Sequence, residues 1–147
     1  MRLSTAVHYA ARAITQVASA PPDRAVSVRE VAQQQGMSAK YLEHILKPLK
    51  AAGLVQAVHG KQGGYVLARP PERITLKDVY ESLVGTVAVV HCVDRPGSCP
   101  MHDVCPTRDT WVEINESVER VLERTTIQDL VERKRRKAMP SPPKYEI

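Results

Sequence analysis

Between residues 27 and 67 the chain is punctuated so closely that few folds can accommodate it. Ser27-Val28-Arg29-Glu30 has the form of a capping box. In such a box the Ser hydroxyl takes the amide three residues on, and the Glu carboxylate returns to the Ser amide. The helix it opens buries Val28, Val31 and Ala32 and has to stop at Gly36. After a tight turn Ser38 caps a further helix with Leu42, Ile45, Leu46 and Leu49 on one face, closed by Gly53. Residues 54–59 and 65–67 then read as short strands around Gly60-Lys61-Gln62-Gly63-Gly64. Two helices joined by a Gly-containing turn are a helix-turn-helix. With a Gly-rich hairpin behind them they form a winged one. One residue departs from the pattern: Pro48 lies inside the third helix and is expected to kink or reset its last turn.

The flanks supply the rest of a mainly α fold. Leu3, Val7, Ala10, Ala11, Ile14, Val17 and Ala18 recur at helical spacing over residues 4–19, before Pro21-Pro22-Asp23 breaks the run. Thr75-Leu76-Lys77-Asp78 is a second capping box, opening a helix that buries Leu76, Val79, Tyr80 and Leu83 and ends by Gly85. The uncharged run 86–90 is expected to be extended and buried. From Pro106 to residue 124, Trp111, Ile114, Val118, Val121 and Leu122 form a stripe opposite Glu113, Glu116, Glu119, Arg120 and Glu123. Such a stripe suits packing against its own domain at one edge and a second copy at its centre. Thr126-Ile127-Gln128-Asp129 is a third box, with Asp in the acidic position, opening a short last helix with Ile127, Leu130 and Val131 inward. With no Phe and one Trp, the core has to be built of Leu, Val, Ile and Ala. The expected organisation is a winged helix-turn-helix domain with a small β-hairpin wing over 1–70, a linker helix and extended segment over 71–91, and a cysteine loop over 92–105. A long dimerisation helix and short C-terminal helix follow over 106–138, and a disordered Pro-rich tail over 139–147.

Charge is distributed unevenly. Residues 1–70 carry nine Lys/Arg against three Asp/Glu, residues 71–131 six against eleven, and residues 132–147 six against two. A basic head suits a polyanion. Off the apolar face of the third helix stand Lys40, Tyr41, Glu43, His44 and Lys47, placed to meet base edges and phosphates from its N-terminal turns. His59 and Lys61 mark the wing, which in such folds enters a minor groove or touches the backbone. Arg133 to Lys137 are five consecutive cations, suited to a solvated end or to supplementary phosphate contact. No run approaches the ~20 apolar residues of a membrane span. His8 and Arg12 interrupt the N-terminal Ala-rich stretch where a signal peptide needs an apolar centre, so a cytoplasmic location is expected. No base, acid and nucleophile recur at a fixed spacing, and an enzyme is not expected.

All three cysteines, Cys92, Cys99 and Cys105, lie in one Pro/Gly/Asp-rich stretch, with six and then five residues between them. Buried structural thiols, a disulfide switch, structural zinc with His91 or His102, and an iron–sulfur cluster can each use three thiols. Structural zinc sites place paired ligands two to four residues apart, so these gaps are wide for zinc, whereas a bulky inorganic core tolerates them. Pro106 suits a first helical position, which puts Cys105 at an N-cap where the helix dipole favours a thiolate.

The run Met37-Ser38-Ala39-Lys40-Tyr41-Leu42-Glu43-His44-Ile45-Leu46, then Ala52-Gly53-Leu54-Val55 and Gly63-Gly64-Tyr65, with the opening Met1-Arg2-Leu3-Ser4, resembles the IscR/NsrR/RirA-type winged-helix regulators, the Rrf-two family. The likeness covers essentially residues 1–135. It implies a homodimeric transcription regulator, read as a repressor, on a double-stranded DNA operator. It also implies operator contacts from Ser38, Lys40, Tyr41, Glu43 and His44. Arg2, Ser27, Lys47, His59 and Lys61 complete the expected DNA-facing set, although relatives often carry Arg where this wing has His59. The cysteine spacing resembles that family's cluster-binding triad. That implies an iron–sulfur cluster, [2Fe-2S] or [4Fe-4S], sensing nitric oxide, redox or iron–sulfur status. Relatives of one kind add a His three positions after the last cysteine, where this chain has Arg108. Relatives of another kind use a donor from the first helix of the partner, where this chain has His8, and His102 and His91 stand behind it as alternatives. The rival reading is a winged-helix regulator with a zinc-bound or metal-free loop, controlled by a protein partner or by thiol oxidation.

Overall fold

The computed structural model describes residues 3–138, so Arg2 and the tail from residue 139 lie outside the described residues. Seven α-helices and one hairpin follow in the order α1 (Thr5–Ser19), α2 (Val28–Gln35), α3 (Ala39–Ala51), β1 (Val55–Val58), β2 (Gly64–Leu67), α4 (Leu76–Val84), α5 (His91–Asp94), α6 (Arg108–Arg124) and α7 (Ile127–Ala138).

The local signals form most of these boundaries as read. Ser4, Ser27 and Ser38 each cap their helix by accepting an amide, from Ala6, Glu30 and Tyr41 respectively. Gly36 and Gly53 take the left-handed conformation that a residue with a Cβ resists, at φ 67° and 71°. Behind them the amides of Met37 and Leu54 reach back to the carbonyls of Ala32 and Leu49, closing both helices in Schellman fashion. Two expectations are corrected, for Glu30 and for residues 86–90. Glu30 does not return to the Ser27 amide; its carboxylate accepts from Arg24 at 3.0 Å, a competing partner brought in by the Pro21–Asp23 turn. Helix α3 runs on past Pro48 to Ala51, so the proline does not end it even though the carbonyl of His44, in mid-helix, loses its amide partner. The run 86–90 forms no strand: only Val87 is fully buried, and the sole sheet is the two-stranded hairpin among the described residues.

The hairpin pairs antiparallel from Val55 opposite Leu67 to Val58 opposite Gly64. Val26 adds a single bridge to Tyr65, with bonds of 2.9 and 2.8 Å. This approach is possible because residue 64 is glycine: a Cβ there would collide with the Val26 carbonyl. The wing is therefore tied to the start of α2.

One core holds the head together. Ile14 of α1, Leu42, Ile45, Leu46 and Leu49 of α3, Ile74, Val79 of α4 and Ile127 of α7 are at most 1% exposed and belong to one cluster. The last helix is thus part of the head's core as well as the end of the chain, and its twelve residues make it longer than the short helix expected. Its start is fixed against α4. The Leu76 amide donates to the Thr125 carbonyl and the Ile127 amide to the Ile74 carbonyl, at 2.9 and 2.8 Å. Thr75 with Asp78, and Thr126 with Asp129, form the two reciprocal capping boxes that the sequence indicated.

Helix α6 follows the cysteine stretch, and its stripe is only partly covered. Leu122 is buried, whereas Trp111, Ile114 and Val121 are 38%, 38% and 46% exposed. Ile114 and Val121, with Leu3, Val87 and Val89, line an apolar groove along the helix. No described helix is long and apolar enough to cross a membrane.

Candidate functional site

The third helix presents its polar side outward. Lys40, Glu43, His44 and Lys47 are exposed and Tyr41 is half-buried, while Leu42, Ile45, Leu46 and Leu49 fix the opposite side in the core. The helix face is thereby locked relative to the head, as base reading requires. Ser38 is exposed at the N-cap, so its hydroxyl hydrogen remains available while its oxygen holds the Tyr41 amide. Ser27 is half-buried and caps α2 in the same way. His59 and Lys61 stand exposed at the wing.

A contact outside any local motif braces this surface. The Tyr9 ring of α1 meets Tyr41 edge-on with centroids 6.0 Å apart, and the Arg12 guanidinium lies 5.6 Å over Tyr9. Sequence reading missed Tyr9 and Arg12. The only local signal was their spacing of three along α1, off its apolar stripe; the meeting with Tyr41 is long-range.

The cysteine stretch is not a bare loop. Cys92 sits in the single turn α5, residues 96–98 form a 3-10 turn, and turns carry the chain to Cys105. Its root is held by the buried Asn115 of α6, whose Oδ1 accepts the Val89 amide at 2.9 Å. All three thiols are free and half-buried. Helix α6 begins at Arg108, with Thr107 at its N-cap, so Cys105 is two residues short of the cap position expected of it. Two turn residues, Pro106 and Thr107, precede the first helical hydrogen bonds. The electrostatic consequence nevertheless holds. A hydrogen bond from the Thr107 hydroxyl, the amides of Thr107 and Arg108, and the Arg108 charge hold the Cys105 thiol below its ordinary pKa. The donor direction follows from Trp111, whose Nε1 can only donate and does so to the Thr107 oxygen at 3.2 Å. That leaves the hydroxyl hydrogen for the sulfur 3.4 Å away.

His102 is the other donor of interest on this stretch. Its Nδ1 lies 2.9 Å from the Asp103 carboxylate, and its buried Nε2 has no partner. An imidazole oriented by a carboxylate through one nitrogen, with the other free, is the arrangement that supports a metal ligand. The donor types thus suit a thiolate-bound group. Among the described residues, however, no three His, Cys, Asp or Glu side chains are gathered in an arrangement that could hold a metal ion. His8 is not brought to the cysteines of its own chain; it is exposed on α1 and tilts against Tyr9 at 5.7 Å.

Comparison with known proteins matches this arrangement. The Rrf2 family model, described as an iron-dependent transcriptional regulator, covers residues 3–133. Protein rrf2 of Nitratidesulfovibrio vulgaris is 36% identical over 131 residues, spanning 89% of this chain and 87% of that protein. The structure of CymR, the global cysteine regulator of B. subtilis, superposes with a TM-score of 0.77 at 30% identity over 90% of this chain and 98% of that one. The T. potens IscR structure gives 0.78 at 30% identity, over 97% and 94%. The winged head, the exposed polar face of α3 and these likenesses to transcriptional regulators together establish that the chain belongs to the Rrf2 family of DNA-binding transcriptional regulators and is not an enzyme.

Proposed function

We propose that this chain is a homodimeric, cytoplasmic repressor whose operator affinity is set by an iron–sulfur cluster on Cys92, Cys99 and Cys105. The observation that carries the reading is the confinement of three free, half-buried thiols to one stretch rooted on α6. That helix also exposes Trp111, Ile114 and Val121, an apolar stripe suited to a second copy. The same element thus serves the sensor and the subunit contact. Two heads related by a twofold axis would meet half-sites about one DNA turn apart.

A cluster held there would supply a centre that nitric oxide, oxidants or iron shortage alter. The chain's own residues do the rest. Thr107 and the first amides of α6 hold the Cys105 thiol below its ordinary pKa, which favours the thiolate a metal takes. The three cysteines are not gathered in advance, so their ligation has to reshape 92–105, and Asn115 passes the reshaping to α6 through Val89. The fourth donor is His8 of the partner subunit or His102 of the same stretch. Tyr9, adjacent to His8 and touching Tyr41, leads from the first of these to the reader helix. Ligation favours one spacing of the heads, and its loss releases it, as a population shift. A difference of ~1.4 kcal/mol is enough for a tenfold change in operator binding.

A second reading has the stretch zinc-bound or metal-free and answering to thiol oxidation or a protein partner, and the ungathered cysteines favour its metal-free form. Titrating a labelled promoter duplex with anaerobic protein, before and after nitric oxide, separates the two. The cluster reading expects a shift in affinity of about tenfold or more. An unchanged affinity together with a colourless protein contradicts it.

A further inference from the structure

Between α1 and α7 lies a groove of about 670 Å³ lined by Arg12, Arg133, Lys134 and Lys137 and by no carboxylate, over an uncharged bed of Ala11, Thr15, Gln35, Leu76 and Leu130. His8 and Arg12, one turn apart on α1, face Arg133, Lys134 and Lys137 of α7 across it. The five-cation run is thereby divided: positions 133, 134 and 137 turn into the groove, and Arg135 and Arg136 do not line it. Among the described residues, none of Arg12, Arg133, Lys134 and Lys137 forms a salt bridge. Like charges packed along two adjacent helices repel one another, and an anion on the groove relieves that cost.

The groove's position identifies the anion. Its floor includes Gln35, three residues before the Ser38 cap of the reader helix. Its Arg12 rim covers Tyr9, which touches Tyr41 on that helix. The cationic surface is thus continuous with the N-terminal end of α3, the end that enters the major groove in a helix-turn-helix. We infer that the α1–α7 groove is a second phosphate-binding surface, which grips the operator backbone beside the bases read by α3. The inference rests on the DNA-binding reading of α3, and on His102 rather than His8 as the fourth cluster donor since His8 lines the groove, and it extends the footprint beyond the helix-turn-helix and wing. Contacts of this kind position the protein without reading sequence, and they appear as salt dependence.

Two charge-matched double variants of the full-length protein test it: Lys134→Gln/Lys137→Gln in the groove and Arg135→Gln/Arg136→Gln outside it. Each is titrated by fluorescence anisotropy against a mixed-sequence duplex of about three helical turns, ~30 base pairs, over a range of salt concentrations. The groove pair should lower the slope of log affinity against log salt by about 2, near 0.9 for each phosphate no longer neutralised. It should also weaken binding to every duplex by a similar factor, while the outer pair stays close to wild type. Equal loss in both pairs would reduce the effect to net charge and overturn the inference, as would no loss in either. A groove variant that turns monomeric by light scattering would assign the surface to a second copy, which also overturns it. A wild type that binds no duplex, with Lys40→Ala equally inert, would instead sink the DNA-binding reading of α3.

Discussion

At the scale of single residues, the reader helix is a set of polar side chains on a backbone that the core immobilises. Lys40→Ala and His44→Ala should each weaken specific operator binding by about 1–3 kcal/mol, read as a rise in Kd of roughly fivefold to 150-fold. Both should leave iron content and melting temperature close to wild type, because neither side chain is buried. Thr107→Val makes the complementary test at the cysteine stretch. It removes the hydroxyl that holds the Cys105 thiol below its ordinary value. The pH midpoint of Cys105 alkylation in metal-free protein, followed by mass spectrometry, should rise; an unchanged midpoint would contradict the Thr107 contact. The position of Cys105 near a helix start was legible in the sequence, but the N-cap position expected of it falls to Thr107. A proline two residues ahead of a helix and a proline at its first position leave the same trace.

At the scale of elements, the capping boxes show what local chemistry can and cannot decide. Thr75 with Asp78 and Thr126 with Asp129 close as the sequence indicated, because no competitor reaches either carboxylate at hydrogen-bond distance, Arg69 standing 3.8 Å from Asp78. Glu30 had one: Arg24 takes its carboxylate. The amide and hydroxyl of Thr126, with Arg133 and Arg136 nearby, hold Asp129 below the ordinary carboxylate value. A carboxylate depressed in the fold stabilises it above the unfolded value, ~3.9, and that contribution is lost as pH falls through the folded value. Asp129→Asn should therefore lower the melting temperature at neutral pH and flatten its decline on the acid side. A parallel decline in both proteins would contradict the assignment. Asn115→Ala belongs to this scale too. It leaves the Val89 amide without its partner, costing about 1–3 kcal/mol. Hydrogen exchange of 86–92 should speed up while α3 stays protected.

At the scale of the whole molecule, the winged head was legible because glycine and serine punctuate it at intervals that only short capped helices and a hairpin satisfy. The packing of α7 on α1, the meeting of Tyr9 with Tyr41 and the groove rimmed by cations were not legible, since each depends on which elements fold back together. The run 86–90 was only partly legible for the same reason: its apolar composition suits a buried extended segment, yet Val87 alone is buried, Thr86 is exposed and residues 88–90 are half-buried. This chain carries an Rrf2-family winged head and a three-thiol stretch, the stretch tied to α6 by the Asn115–Val89 bond. Everything proposed for regulation depends on that stretch holding the inorganic group that governs the reader. Iron and acid-labile sulfide per chain, measured on protein purified without oxygen, test this most directly. Both elements are expected in equal amounts, lost together in Cys99→Ser. Wild-type protein containing neither would contradict it.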